Sequence, residues 1–467
     1  MELQMKKSFA NFTVFMLASI AFAGGVENKT NMSTGYLRNP SRNAECERPE
    51  AAFYNIAGTA FLNDGLYFEA GNQFIFKEYG NELKTGNIIA RKSNDAVHDY
   101  YSNDETTVWL YPDADVVFKR KKWSIFMNFG IYAGGGALSY SEGTSATSLM
   151  FLNGANNFKT EAEKYKYAAL AAKSAGNPGK ETEYNEQYSL YGKAALASLE
   201  MAKNHSLDVT SITYGGQIGA SYNIFDWFSV AAAFRYVRGT QDMNLTCNDL
   251  VFLAINGGNT ISYSAEGFGE SCVIGAHIKP TFAPGLDFSI QYQTLSRISY
   301  KVDEVEGALA AFYGITKDST FRTDLPAVLN IGIGYRPAER LYLSGSFNYY
   351  FNSFAKQDSI LTETDYDDSW ELAFGADVKV CRFLGISAGF EYGKQGINST
   401  SNSTFNPVLD SVVVGGGVEI YPIEKLTITL SGMYCKYFDA TYSLSGIKTE
   451  LSKKISMCSV GITYKAF

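Results

Sequence analysis

Six cysteines and three histidines are the side chains of this sequence best suited to bind a metal ion or act as nucleophiles. The cysteines are Cys46, Cys247, Cys272, Cys381, Cys435 and Cys458, and the histidines are His98, His205 and His277. No two cysteines form a C-x-x-C pair and the histidines lie far apart, so the spacing predicts no metal site. Cys247 and Cys272 flank one predicted loop, and the sequence leaves open whether they form a disulfide in an oxidising compartment.

Two motifs that would indicate catalysis are also missing from the sequence. There is no H-E-x-x-H motif and no Gly-rich P-loop followed by Lys-Ser or Lys-Thr. The glycine runs 134–136 and 415–417 lie inside predicted strands, where they cannot cradle a phosphate. The sequence therefore predicts a protein that is not an enzyme and that needs no cofactor.

The composition favours a membrane β-barrel. The 467 residues include 15% aromatic residues and 43 glycines, and 19% are charged, below the roughly 25% of a typical soluble domain. No internal run approaches the ~18 apolar residues of a membrane helix. The formal net charge of −8 argues against a nucleic-acid partner. Composition alone leaves a secreted β-sandwich or β-helix as an open alternative.

The first residues predict a secretory signal peptide. Lys6 and Lys7 precede the apolar stretch "FANFTVFMLASIAFA", which ends in a small-residue cleavage pattern at Ala23. We expect residues 1–23 to be removed. Because glycine follows the predicted cut, no lipid anchor is expected on the mature chain.

Alternating apolar and polar residues predict fourteen strands from residue 65 onward. In "LGISAGFEYG" (384–393) the leucine, isoleucine and aromatic residues share one face, as expected for a strand with one face in lipid. The segments start near 65, 106, 122, 209, 227, 268, 286, 325, 340, 369, 383, 408, 425 and 452. Short and long connections alternate strictly. This pattern predicts an all-β fold, a 14-stranded antiparallel transmembrane β-barrel spanning 65–467 in the outer membrane.

Three further features qualify the predicted barrel. The longest connection, 137–208, has helical periodicity and predicts a helical hairpin over the barrel, with "NPGK" as its turn. The apolar runs "DLVFLAIN" (249–256) and "GALAAFYGI" (307–315) lie in two long loops and favour a hydrophobic ligand, the alternative being loops that pack on each other. The terminal Phe467 predicts recognition by the barrel insertion machinery, although it is out of phase with the apolar face.

Residues 35–79, "GYLRNPSRNAECERPEAAFYNIAGTAFLNDGLYFEAGNQFIFKEY", resemble the N-terminal hatch and first strand of the FadL/TodX outer-membrane transporters of hydrophobic compounds. The family's Asn-Pro-Ala hatch motif corresponds to Asn55-Ile56-Ala57, followed by Gly58. Residues 324–351 resemble the family's eighth and ninth strands. The resemblance spans essentially the whole mature chain and implies a hatch, 24–64, inside a fourteen-stranded barrel.

The resemblance also implies a transport mechanism. A hydrophobic ligand such as a long-chain fatty acid is captured by two extracellular loops, passes the hatch and leaves sideways into outer-membrane lipid at a kinked third strand. The capture residues would be Leu250, Val251, Phe252, Leu253, Leu309, Phe312 and Tyr313. The lateral opening would lie at Gly130, Gly134, Gly135 and Gly136, because glycine in a strand permits a kink.

Two departures from the family pattern bear on this mechanism. Ile56 replaces the proline of the motif, which removes a fixed φ and predicts a less constrained hatch turn. The second loop, 137–208, is much enlarged. From strand parity, Arg235 or Lys279 could pair with a ligand carboxylate. The alternatives are a surface-exposed adhesin or structural barrel that binds a host or matrix protein, and then a general porin.

Overall fold

The computed structural model describes residues 30–84, 91–93, 96–98, 100–308, 310, 315–358, 366–396, 407–444 and 447–467. Fourteen antiparallel barrel strands dominate it, and the predicted fold class is confirmed. They are β1 (Gly65–Lys84), β2 (Tyr100–Asp104, Thr107–Val108 and Pro112–Arg120), β3 (Trp123–Tyr140), β4 (His205–Phe225), β5 (Phe228–Cys247), β6 (Thr260–Ile278), β7 (Leu286–Gln293 and Ser299–Glu306), β8 (Thr320–Arg322 and Ala327–Ala338), β9 (Leu341–Phe351), β10 (Ser369–Cys381), β11 (Leu384–Lys394), β12 (Ser411–Ile423), β13 (Leu426–Tyr437 and Ala440–Leu444) and β14 (Ile447–Lys465).

The sheet closes on itself between its first and last strands. β1 pairs with β14 in one antiparallel register, from Tyr67 opposite Lys465 to Lys84 opposite Lys448. Every other strand pairs with its neighbours in chain order. A closed sheet has no unpaired edge, which is what the hydrocarbon interior of a membrane requires of β-structure.

Side chains alternate between the lipid face and the lumen as the sequence pattern predicts. On β5, Phe234 and Tyr236 are each 45% exposed on the outer surface, while Arg235 between them is 2% exposed in the lumen. On β7, Phe288 and Ile290 face outward while Ser289 and Gln291 are buried. An apolar outer face around a polar interior is the arrangement of a transmembrane barrel.

The strands on the long-loop side are longer than the sequence pattern predicts. β4 has 21 residues, although roughly 9–11 residues suffice to cross a membrane. β3 runs to Tyr140, inside the predicted loop, and β13 and β14 occupy most of the connection predicted at 441–451. Backbone pairing continues past the lipid-facing segment. Beyond that segment the outer face no longer contacts lipid, so the apolar alternation that indicates a strand in the sequence is not needed.

Five helices and two 3₁₀ turns complete the described elements. The helices are α1 (Thr34–Arg38), α2 (Ala51–Tyr54), α3 (Ser145–Ser174), α4 (Pro178–Lys203) and α5 (Leu250–Asn256), and the turns are Gly58–Phe61 and Asn352–Phe354. Residues Arg91–Ser93 and Ala96–His98 form a separate two-stranded hairpin. None of the helices in the described part of the chain is long and apolar enough to cross a membrane.

The predicted helical hairpin is formed by α3 and α4. Thr144 caps α3 by accepting a hydrogen bond from the Thr147 N–H, and Asn177 caps α4 through the Lys180 N–H. Pro178 is the first residue of α4 rather than part of the turn, a position where its missing N–H costs nothing. The two helices pack together, with Tyr165 stacked on Tyr191 at 5.4 Å between ring centroids.

Cys247 and Cys272 do not form a disulfide, and all six cysteines are free thiols. The β5–β6 register places Cys272 opposite Phe234, and the backbone of Cys247 bonds to Asn259. Asn259 and Cys272 are thirteen positions apart along the chain, a separation of roughly 43 Å at ~3.3 Å per residue. Cys272 faces lipid and Cys247 is buried.

Candidate functional site

The hatch, residues 30–64, lies inside the barrel, and its motif is bonded to three strands of the wall. The Ile56 N–H donates to Gln291 Oε1 at 3.0 Å, and Ser229 Oγ donates to the Ala57 carbonyl at 2.8 Å. Asn55 Nδ2 lies 2.8 Å from His277 Nδ1. Gln291, Ser229 and His277 belong to β7, β5 and β6. This part of the wall therefore fixes the position of the hatch turn.

Ile56 gives the hatch turn a constraint that the sequence did not predict. Its N–H hydrogen bond to Gln291 is one that proline cannot make. Its side chain is fully buried against Val117, Phe126 and Val273 of the wall. The hydrogen bond and the packing thus constrain the turn where the family has the fixed φ of proline. Gly58 is needed for close approach, since a Cβ there would lie 2.5 Å from Asn55 Nδ2.

A buried ionic cluster fastens the first half of the hatch to β10 and β12. Arg38 Nη1 donates to Asp377 Oδ1 at 2.7 Å, and Arg42 Nη2 lies 3.4 Å from the same oxygen. Arg48 pairs with Glu419. Burial and the neighbouring guanidinium groups lower the pKa of Arg38 to about 10. Arg38 stays charged at neutral pH, so its pairing with Asp377 is maintained.

Two cavities lie next to the hatch on the side of the long loops. The larger has a volume of about 100 Å³ and is lined mainly by aromatic and apolar side chains, with two glutamates. Among its lining residues are Tyr36, Tyr79, Tyr111, Tyr350, Glu371 and Glu391. The smaller, of about 40 Å³, shares Thr30, Tyr36 and Tyr350 with it. The two cavities are therefore adjacent.

Arg235 supplies the positive charge in the wall of the smaller cavity. Its Nε and Nη2 donate to Gln217 Oε1 at 3.0 and 2.7 Å, and Nη1 donates to Gln293 Oε1. The guanidinium also lies 4.4 Å from the ring centroid of Tyr132. Within the described ranges no carboxylate pairs with Arg235. A buried guanidinium without a counter-ion can accept an anionic group of a ligand.

Lys279 lies on the opposite side of the hatch from Arg235. Its Nζ is 3.6 Å from Asp287 Oδ1 and 4.9 Å from the ring centroid of Phe61. It lines a polar vestibule of about 720 Å³ among the short connections, at the predicted periplasmic end. The fold therefore separates the two cations that strand parity suggested as carboxylate partners. Arg235 lines the smaller cavity on the long-loop side, whereas Lys279 lines the vestibule.

The barrel wall is interrupted between β2 and β3. Backbone pairing of these strands extends from Arg120–Trp123 to Ala114–Phe129, and no further pair joins them within the described residues. Beyond this point β3 contains two bulges against β4, between Ile131 and Ala133 and between Ala133 and Gly136. We call this interrupted boundary between β2 and β3 the seam.

The four predicted glycines lie along the seam in β3. Gly134 and Gly136 have φ values of 84° and 75°, which glycine adopts without strain. Gly135 lies between them, and Gly130 contacts the Met32 side chain of the hatch. Gly134 also lines the larger cavity. The stretch where the sequence predicts a kink thus contains two bulges and two glycines with positive φ, and it borders the cavity.

Side-chain hydrogen bonds bridge the seam where the ladder is missing. Tyr111 Oη, on the β2 side, donates to the Ile131 carbonyl at 3.2 Å, and Lys77 Nζ reaches from β1 past β2 to the Ala137 carbonyl at 2.5 Å. The Ser139 N–H donates to Asp104 Oδ1 at 2.7 Å. Tyr111 and Lys77 also line the larger cavity. The same side chains thus form the cavity wall and hold the seam closed.

The predicted capture residues are divided between exposed and buried positions. In α5, Leu250 is 80% exposed and Leu253 is partly exposed, but Phe252 is buried with its ring 6.4 Å from that of Phe151 in α3. Nothing is described for the side chain of Val251. Leu309, Phe312 and Tyr313 lie outside the described residues. Part of the first predicted loop therefore packs against the helical hairpin.

Several cavity residues were missed by sequence reasoning because no motif marks them. Tyr36, Tyr111 and Tyr350 carry no local signal beyond the high tyrosine content.

One catalytic pattern does occur in the chain, as residues 385–389 read G-I-S-A-G. They form a regular part of β11 in which Ser387 accepts a hydrogen bond from Arg38, so the strand-to-helix elbow that this nucleophile motif requires is absent there.

Comparisons with known proteins give a family match and several structural matches. The model of the family described as "Outer membrane protein transport protein (OMPP1/FadL/TodX)" matches residues 169–455, more than half of the chain. A comparison with curated proteins gave no match.

The structural matches span nearly the whole chain. A Pseudomonas aeruginosa FadL homologue superposes with a TM-score of 0.65 at 15% identity, covering 95% of this chain and all of that one. The Pseudomonas putida toluene transporter TodX gives 0.57 at 14% identity, with 95% and 100% covered. The Ralstonia pickettii toluene transporter TbuX gives 0.55 at 10% identity, with 95% and 99% covered. At these identities the likeness establishes a common fold.

Proposed function

Since the chain belongs to the OMPP1/FadL/TodX family of outer-membrane transport proteins, we propose that it takes up long-chain fatty acids and releases them sideways through the seam. The ligand is captured among the long loops, where Leu250 and Leu253 offer apolar surface. It then occupies the cavities beside the hatch. No covalent step is part of this function.

The observation that carries the proposal is the contact between cavity and seam. Tyr111, Lys77 and Gly134 line the larger cavity and also border the interrupted β2–β3 ladder. An apolar molecule in that cavity is separated from lipid by side chains rather than by a backbone ladder. Side-chain rotation takes place without breaking the sheet. Lateral release therefore avoids both the aqueous vestibule and the polar surface outside the membrane.

Arg235 supports a fatty acid as the ligand. Its guanidinium is buried and lacks a carboxylate partner in the described part of the chain. A bidentate arginine–carboxylate pair would compensate this charge and orient the head group. The aromatic and apolar lining of the larger cavity suits the acyl chain.

A neutral monoaromatic hydrocarbon is the second candidate ligand. Two solved structures with this fold are named as toluene transporters. Glu371 and Glu391 line the larger cavity and would oppose the passage of a carboxylate. An uncharged aromatic molecule would meet no such opposition and would pack against the tyrosines.

Uptake measurements in cells test the proposal. A strain that lacks the gene is complemented with it, and initial uptake of radiolabelled oleate and of radiolabelled toluene is compared with empty vector. Oleate uptake that depends on the gene supports the fatty acid, and dependence of toluene uptake alone replaces it with the aromatic ligand. If neither depends on the gene while attachment to host or matrix protein does, the barrel is an adhesin.

A further inference from the structure

Three potential metal ligands meet between the hatch and the wall. Cys46 comes from the hatch, His277 from β6 and Asp287 from β7. Each offers one ligand atom, all three residues are buried, and the three atoms lie within 4.8 Å of one another. The sequence spacing predicts no metal site here, because the residues are far apart along the chain. The fold brings them together.

We propose that Cys46, His277 and Asp287 bind a divalent transition-metal ion of the zinc type, which fastens the hatch to the barrel wall. A thiolate, an imidazole and a carboxylate are the three side-chain ligands that zinc uses in proteins. Ligands from three separate segments form a site only when the hatch is docked. Metal binding and hatch docking are therefore thermodynamically linked.

His277 directs its Nε2 atom toward Asp287. This nitrogen lies 3.3 Å from Asp287 Oδ1, while Nδ1 lies 2.8 Å from Asn55 Nδ2. Without a metal ion, the Asn55 amide donates to Nδ1, and the imidazole proton is on Nε2, facing the carboxylate. A metal-bound imidazole instead donates its other ring N–H to an outer partner. Metal binding at Nε2 therefore moves the proton to Nδ1 and requires the Asn55 amide to rotate, so that its Oδ1 accepts from the Nδ1–H.

An access path and a free coordination position come from the polar vestibule. Cys46 and Lys279 line this space of about 720 Å³, which opens at the short-connection end of the barrel. Water from the vestibule can supply the fourth ligand that tetrahedral coordination requires. A metal ion can reach the site from this side without displacing the hatch.

Lys279 competes with the metal ion for the Asp287 carboxylate. Its Nζ lies 3.6 Å from Asp287 Oδ1 and balances the carboxylate when no metal is bound. The side chain is 35% exposed, so it can turn into the vestibule when a divalent cation takes its place. The site thus has two alternative cations, and removal of the lysine charge should strengthen metal binding.

Cobalt(II) provides the test, because its thiolate complexes absorb in the near-ultraviolet and visible range, where zinc complexes do not. The full barrel is purified in detergent, stripped with a chelator and titrated with Co²⁺. We expect one equivalent to produce a thiolate-to-metal charge-transfer band that Zn²⁺ abolishes. The substitution C46S should remove the band, and H277Q and D287N should weaken Co²⁺ binding at least about tenfold, since loss of even an outer partner of a ligand commonly costs that much. The matched control C272S, on the lipid face, should behave as wild type.

The variant K279M tests the proposed metal site even if C46S fails to fold. We expect K279M to bind Co²⁺ more tightly than wild type, a gain that misfolding cannot produce. Heat-modifiable migration in gel electrophoresis verifies that each barrel is folded. A wild-type protein without the band, a band that persists in folded C46S, or weaker binding in folded K279M would each overturn the site. These measurements need no transport and are independent of the ligand carried.

Discussion

Gln217 joins Arg235 to the hatch. Gln217 Oε1 accepts two hydrogen bonds from the Arg235 guanidinium, at 3.0 and 2.7 Å, while Gln217 Nε2 donates to the carbonyl of Ala52 in α2. A ligand carboxylate that binds Arg235 competes with Gln217 Oε1 for the same donors. Occupation of the smaller cavity therefore weakens a contact that holds the hatch, and this links ligand binding to hatch movement.

The substitution R235Q should separate the two candidate ligands. It removes the cation but keeps a polar side chain of similar reach. Hydrogen bonds to a charged group contribute about 1.5–3 kcal/mol, so we expect oleate uptake at low concentration to fall by roughly 10- to 100-fold. Toluene uptake should not change. Initial rates of uptake in cells with equal amounts of folded barrel measure both.

R340Q is the matched control for R235Q, since the exposed Arg340 lies at the vestibule rather than in the cavities beside Arg235. It should leave oleate uptake unchanged. Equal losses in R235Q and R340Q, or wild-type oleate uptake in R235Q, would contradict the assignment of Arg235 to the carboxylate.

Deleting Gly135 should close the seam. Between Ala133 and Gly136, β3 has one more residue than the opposing stretch of β4, from Thr213 to Ser211. Removal of one residue restores equal lengths in this stretch and removes one of the two bulges of β3. We expect a folded barrel whose uptake falls to the level of empty vector. G416A is a suitable control, because a Cβ at Gly416 meets only the Ser387 carbonyl, at 3.6 Å. Normal uptake by the folded deletion variant would refute release at the seam.

The substitution D377N should loosen the hatch. Arg38 and Arg42 both pair with Asp377, and loss of one partner of a buried ion pair costs about 3–5 kcal/mol. We expect increased ion conductance of the purified barrel in planar lipid bilayers. The exposed Asp226, in the β4–β5 turn, provides the control D226N. An unchanged conductance in D377N would show that the ionic cluster does not keep the hatch docked.

Shortening the helical hairpin should discriminate a transporter from an adhesin. The start of α3 is buried, with Leu149 and Phe151 in the core above the barrel, whereas Tyr167 and Leu170 near the tip are 70% and 54% exposed. A short Gly-Ser turn in place of residues 166–188 removes only the tip. We expect normal oleate uptake. A deletion of 145–203 removes the buried part as well and should reduce uptake.

A loss of attachment to host or matrix protein in the tip deletion, with uptake independent of the gene, would instead favour the adhesin. The two deletions differ in whether the large buried side chains at the base, such as Leu149 and Phe151, are lost. Their comparison therefore distinguishes a role of the exposed tip from a role of the packed base.

The sequence predicted the strand number and the direction of side chains because both depend on local alternation. Phe234 and Tyr236 face lipid and Arg235 faces the lumen, as the period of two requires. The hairpin α3–α4 was also predicted from local periodicity. The start of α3 at Ser145 was not, because its buried residues contact the barrel rather than a single helix partner.

Other features depend on contacts between distant segments and carry no local pattern. Nothing near Cys46 indicates that His277 and Asp287 lie beside it. Likewise, the end of the β2–β3 ladder at Ala114–Phe129 follows from register and not from composition. The constraint on Ile56 was missed for the same reason, because its hydrogen-bond partner Gln291 lies on a distant strand and nothing in the hatch sequence indicates this contact.

The seam also has a consequence for how this barrel can evolve. Between the other described strands the wall is closed mainly by backbone hydrogen bonds, which are nearly independent of side-chain identity. At the seam, closure depends on Tyr111, Lys77 and Asp104, so single codon changes can strengthen or weaken it. Selection can therefore adjust permeability at one boundary between two strands while the remaining sheet, and with it the stability of the barrel, stays unchanged.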